Sequence, residues 1–298
     1  MSTIRSVLAA ALIGLAALPV SAEPKANQLF GAKNAPSRQE SHPIGFYSKG
    51  CAAGNVELPE TGPTWQAMRL SRNRNFGQPE MVQFLVDLSA YAARLPGWNG
   101  LYIGDISQPR GGPMTSGHAS HQIGLDADIW MRPATNLRLS RSQRESISSI
   151  DVRSKDQRSV NGNWTPAHAA LLERAASDSR VDRIFVTPPV KIALCQSAKR
   201  SDRKWLQKIR PYYGHNYHFH VRLKCPKGSA ACRTQTPTVS EISNGGSGCD
   251  ETLVWWVTDM LNPPKSAQPA KPAPKKRSPR DYTLADLPNQ CRDVLASR

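Results

Sequence analysis

His218-Phe219-His220-Val221-Arg222-Leu223, inside the longer run GHNYHFHVRLKCP that starts at Gly214, alternates polar rings and charge with apolar side chains. In an extended strand successive side chains face opposite sides, so His218 and His220 share one face while Phe219 and Val221 pack on the other. The same alternation recurs upstream in GGPMTSGHASHQIGLDADIW, which ends at Trp130: Asp126 and Asp128 share a face, with Ala127 and Ile129 directed to a core. These two stretches predict strands at Leu125–Trp130 and His218–Leu223. Further strands are expected at Leu101–Ile106 and Arg183–Val186. Pro79–Leu95 carries Met81, Phe84, Leu85, Leu88 and Tyr91 at helical spacing behind an N-terminal proline, and Pro166–Ala176 reads similarly. The expected class is α+β: a small, mainly antiparallel sheet with flanking helices and long, disulfide-tied loops.

Five of the seven histidines fall in two groups, His118 with His121, and His215 with His218 and His220. Histidine is the commonest metal ligand, so clustering is the signal. A metal where the two strands meet would take His121, Asp128 and His220. Three protein ligands leave a position for water, as in catalytic zinc sites, and nitrogen plus carboxylate donors without thiolate suit zinc. His218 is then free to act as general base while the metal polarises an amide carbonyl. His215 is assigned to orienting His218 or donating to the intermediate. The isolated His42 and His168 read as ordinary hydrogen-bonded histidines. No Gly-x-Ser-x-Gly elbow and no His-Glu-x-x-His helix occurs.

His121-x6-Asp128 followed far downstream by His218-x-His220 resembles the LAS metallopeptidases, which include lysostaphin-type and D-Ala-D-Ala-cleaving enzymes. The strings ending at Trp130 and beginning at Gly214, with RIFVTPPVK between them, are similar to the penicillin-insensitive murein endopeptidase family over roughly Ser48 to Leu261. The resemblance implies Zn2+ on His121, Asp128 and His220, His218 as catalytic base with His215 nearby, and a possible second ion for which His118 and Asp156 are the matching positions. It also implies a periplasmic enzyme cutting the D-alanyl to meso-diaminopimelyl cross-link of peptidoglycan. A D,D-carboxypeptidase and a non-catalytic, metal-containing wall-binding module are the alternatives.

Outside the histidine groups, Arg5 precedes a short apolar run, Val7–Val20, and a small-residue site at Ala22, so residues 1–22 read as a cleavable signal peptide and the mature chain as exported. No later stretch is apolar enough to span a membrane. Residues 23–262 form the expected metallopeptidase domain, 263–280 a Pro/Lys-rich linker, and 281–298 a C-terminal segment tied back through Cys291. Six cysteines in an exported chain suggest three disulfides. Fifteen pairings are possible. Cys225–Cys232 brackets a short turn, and nesting then favours Cys195–Cys249 and Cys51–Cys291. With 39% hydrophobic residues the chain can bury a core, which excludes disorder throughout. The formal charge of +16 fits an anionic polymer such as peptidoglycan. No recognition helix or stacking platform supports nucleic acid as a partner.

Overall fold

A computed structural model describes residues 23–199, 201–263 and 277–297. The expected signal peptide, 1–22, and most of the expected linker, 264–276 within 263–280, lie outside the described residues. A hairpin of β1 (His42–Phe46) and β2 (Lys49–Ala53) precedes the main sheet. That sheet comprises β3 (Thr61–Gly62), β4 (Trp65–Ala67), β5 (Leu101–Ile103), β6 (Asp126–Trp130), β7 (Val181–Val186), β8 (Ile209–Pro211) and β9 (His218–Leu223), in the spatial order β8-β7-β9-β6-β5-β4-β3. Only β8/β7 and β4/β5 are parallel pairs, so the sheet is mainly antiparallel and the fold α+β.

The central pair β9/β6 runs antiparallel with His218 opposite Trp130, His220 opposite Asp128 and Arg222 opposite Asp126. An arginine–aspartate ion pair and a histidine–aspartate pair thus face each other across one ladder, an arrangement that itself favours this register. On the reverse face Ala127, Ile129, Phe219 and Val221 are fully or almost fully buried in the main core. Helices α1 (Pro79–Ala92) and α2 (Pro166–Ser177) contribute to that core through Met81, Phe84, Leu85 and Leu88, and through Leu171 and Leu172. Burying each such side chain stabilises the fold by about 1.5–3 kcal/mol. The site face is therefore held rigid from behind.

Several element ends differ from the sequence reading, and one helix is added. Helix α1 stops at Ala92, not Leu95, because Pro96 and Gly97 follow and the chain closes instead through turns, Leu95 N to Ala92 O at 2.9 Å and Trp98 N to Leu95 O at 3.1 Å. Strand β5 ends at Ile103, not Ile106, but Gly104 N donates to Asp128 O (2.8 Å) and Asp128 N to Asp105 O (2.9 Å), which keeps Asp105 beside β6. A third helix, α3 (Pro188–Ser197), follows β7; its Pro188-Pro189 start and the spacing of Val190 and Leu194 were the available signals. Disulfides join Cys195 in α3 to Cys249, Cys225 to Cys232, and Cys51 in β2 to Cys291 in α4 (Gln290–Ala296). The last draws the C-terminal segment into a second small core with Phe30, Ile44, Leu287 and Val294. Among the described residues no helix is long and apolar enough to cross a membrane.

Candidate active site

The loop between β5 and β6 delivers His121 in a left-handed backbone conformation, φ 68°. This region is costly for a residue with a Cβ and is held by its surroundings. Its backbone N–H donates to Asp126 Oδ2 at 3.0 Å, and Gly124, φ 73°, turns the chain where a Cβ would lie 2.5 Å from Asn55 Oδ1. His121 Nδ1 lies 2.6 Å from Ile106 O, and a carbonyl only accepts. Nδ1 therefore carries the hydrogen, and Nε2 presents a lone pair to the site.

Asp128 is the hub on which four imidazoles converge. Its Oδ1 lies 3.2 Å from His220 Nδ1, 3.4 Å from His121 Nε2 and 3.5 Å from His218 Nε2, while its Oδ2 lies 3.3 Å from His118 Nε2. Asp128 Oδ1 and His121 Nε2 are nonetheless buried without a hydrogen-bond partner. A buried carboxylate oxygen ringed by nitrogens outside hydrogen-bond geometry is a set of lone-pair donors lacking a common acceptor, which is what a cation supplies. His118, His121 and Asp128 bring one ligand atom each within 4.8 Å of one another, so this group can hold a metal ion. His220 stands beside it, its ring 4.6 Å from that of His121.

Charges behind the hub fix its state. Burial alone would raise Asp126, but the Arg222 guanidinium, donating to it from Nε (2.8 Å) and Nη2 (3.1 Å), and neighbouring His220 hold it well below the usual carboxylate range. Asp126 Oδ1 also lies 3.1 Å from His220 Nε2. Burial would lower His220, yet Asp126 and Asp128 raise it. Asp128 likewise stays ionised despite its burial because His218, His118 and His121 surround it. Burial and the other imidazoles lower His218 against the pull of Asp128. Burial, then His218 and His220, push His215 down to about 3, and its Nδ1 donates to Tyr213 O at 3.1 Å.

The structure thus brings His121, Asp128, His220, His218 and His215 into one cluster, with the His215 and His218 rings 5.0 Å apart. It does not pair His118 with Asp156. His118 joins the Asp128 hub and also lies 3.2 Å from Asp105 Oδ2, whereas Asp156 is exposed and accepts from Ser154 and from Arg158 N at 3.1 Å. The physical reason is local: Asp156 closes its own loop turn, ending in the Arg153–Val160 bridge. Sequence reasoning missed Asp105, buried between Arg74 (2.8 Å), Arg72 (3.1 Å) and His118. It also missed Arg222 as the counter-charge of Asp126; the same period-two alternation, carried two residues past His220, was the signal that could have found it. Two cavities flank the hub and share His118. One, about 470 Å³, is lined by Arg72, Asp105, Trp130, Tyr217 and His218; the other, about 430 Å³, by Phe185, Tyr212, His215, His220 and Gln235.

Residues 43–296 match the family described as penicillin-insensitive murein endopeptidase. A protein of that description from Haemophilus influenzae is 40% identical over 252 residues, covering 84% of this chain and 83% of its own length. The Klebsiella pneumoniae protein is 38% identical over 95% of this chain and 97% of its own, and that of Pectobacterium atrosepticum 37% identical over 95% and 96%.

Proposed function

Because this chain belongs to the penicillin-insensitive murein endopeptidase family, a family of peptidases, we propose that it is an exported, periplasmic zinc enzyme that hydrolyses the D-alanyl–meso-diaminopimelyl amide cross-linking peptidoglycan strands. Residues 1–22 serve as the cleaved signal, 23–262 as the catalytic domain, 263–280 as a linker and 281–298 as its tied-back end. The observation that carries the reading is the buried, unpaired Asp128 Oδ1 with His121 Nε2 at 3.4 Å. His121, Asp128 and His220 would hold the zinc ion, with His118 adjacent. When bound, zinc supplies Lewis-acid polarisation of the scissile carbonyl and an acidified water.

The remaining work falls to the protein's own side chains. His218 is half-buried and its proton affinity is lowered, so near neutral pH its imidazole is available to accept a proton from the attacking water and pass it to the leaving amine. His215 is neutral there and its hydrogen is committed to Tyr213 O, so its free nitrogen accepts and does not donate. It positions His218 and does not stabilise an oxyanion. Cavities on both sides of the hub suit a substrate that continues past the scissile bond in both directions, which favours an endopeptidase over a carboxypeptidase.

Digestion of purified sacculi should convert cross-linked muropeptide dimers to monomers and stop with a chelator. His121→Ala should lose metal and turnover, while His218→Ala should keep the metal and lose turnover by about a hundred-fold or more. An unchanged dimer fraction with zinc-loaded protein, or release of free D-Ala from pentapeptide monomers alone, would refute the assignment.

A further inference from the structure

We infer that Arg72 forms a carboxylate-binding subsite on one side of the hub, reading the free carboxylate of the substrate residue next to the scissile amide; this rests on the peptidoglycan reading above. Arg72 sits in a short 3-10 turn, Leu70–Arg72, flanked by two residues in the left-handed region, Arg69 (φ 59°) and Asn73 (φ 52°). Such backbone is kept only where surrounding contacts hold it. Here they do: Arg69 donates to Arg144 O at 3.1 Å and Ile147 O at 2.7 Å, its guanidinium lies 5.3 Å from the Trp130 ring, and Ser71 N donates to Glu145 Oε1 at 2.7 Å. The turn is thereby pinned beside the cleft that contains His218 and Asp128.

The charge balance at this wall is uneven. Asp105 is already paired with buried Arg74 at 2.8 Å, and Arg72 Nη1 reaches the same carboxylate at 3.1 and 3.3 Å. One carboxylate thus faces two guanidiniums, leaving a net cation on the wall. The Arg72 side chain is 44% exposed, against 5% for Arg74, and among the described residues its Nε and Nη2 donate to no protein acceptor. Guanidinium N–H groups held in this fork match a carboxylate. On the opposite side of the hub the corresponding cation, Arg222, is neutralised by Asp126 and buried, so the positive surplus marks one side only. In the proposed cross-link, the residue that supplies the amine carries a free carboxylate beside the scissile nitrogen. Arg72 therefore assigns the amine-bearing stem to its side of the hub and the acyl stem to the Tyr212 side.

The test uses two cross-linked muropeptide dimers, one with that carboxylate free and one with it amidated, on zinc-loaded full-length wild type, Arg72→Ala and Arg72→Lys. Wild type should prefer the free acid by roughly ten- to a hundred-fold in kcat/KM, carried mainly by KM. Arg72→Ala should lose the preference and Arg72→Lys keep part of it. The ratio within one variant is independent of how much of it folds. Should Arg72→Ala turn over too slowly, calorimetric binding of the two dimers to the variant replaces the kinetic comparison, and the same loss of discrimination is expected. Equal use of both dimers by wild type, or an undiminished preference in Arg72→Ala, overturns the subsite while leaving the endopeptidase reading intact. Wild type that cuts neither dimer overturns the endopeptidase reading instead.

Discussion

Asp126→Asn removes the charge behind the proposed metal ligands while leaving those side chains themselves unchanged. Asp126 is fully buried and accepts from His121 N at 3.0 Å and from Arg222 Nε and Nη2 at 2.8 and 3.1 Å. An amide offers one acceptor oxygen and turns its NH2 toward a donor, so Arg222, 5% exposed and stacked 4.0 Å from the Tyr47 ring, is left largely unpaired. Breaking one partner of a buried ion pair costs about 3–5 kcal/mol. For a chain of this size that lowers Tm by roughly 6–20 °C. The strained His121 backbone also loses its acceptor, and metal affinity should fall about ten- to a hundred-fold. Denaturant melts and competitive metal titration of wild type, Asp126→Asn and Asp126→Asn/Arg222→Met supply the assay. The double variant should be more stable than Asp126→Asn, because it removes the stranded guanidinium. The gap between wild type and Asp126→Asn should be full above the unfolded Asp pKa of about 3.9 and shrink as pH falls below it, since the folded carboxyl is held lower. A loss under about 1 kcal/mol, or a double variant less stable than the single, would refute the reasoning.

Cys51→Ser/Cys291→Ser opens a link between positions 240 residues apart and should cost about 2–5 kcal/mol. Protease should then cut first within 281–297, where Arg110 Nη1 otherwise donates to the carbonyls of Val294, Leu295 and Ser297. Burial pushes Lys191 down to about 7, with its Nζ donating to Leu206 O at 2.6 Å and Ser247 O at 2.9 Å. Its folded pKa lies below the unfolded value, so wild type should gain stability relative to Lys191→Met as pH rises from about 7 toward 10; parallel melting curves for the two would contradict this. Gly124→Ala should destabilise by more than 1 kcal/mol, because φ is positive there and the added Cβ would meet Asn55 Oδ1 at 2.5 Å, and circular dichroism melts measure it directly.

Period-two alternation is a property of the strand itself, so the sequence alone determined that His218 and His220 share a face, that Phe219 and Val221 pack behind them, and that Asp126 and Asp128 do the same upstream. Helix starts at Pro79 and Pro166 were equally local, because proline sets φ and lacks the N–H that a first turn would leave unpaired. What lay beyond the sequence was decided by contacts between distant segments. The β9/β6 register sets His220 against Asp128 and Arg222 against Asp126, and no single strand specifies its partner's offset. The loop carrying His118 and His121 has no repeating period to read. Its course depends on the left-handed turn at His121 and on acceptors supplied by Ile106 and Asp126, which is why His118 reaches Asp128 and not Asp156. Asp105 and Arg72 enter the cleft for the same reason: backbone pairing beside β6 and a pinned turn place charges that their own neighbours in sequence do not announce.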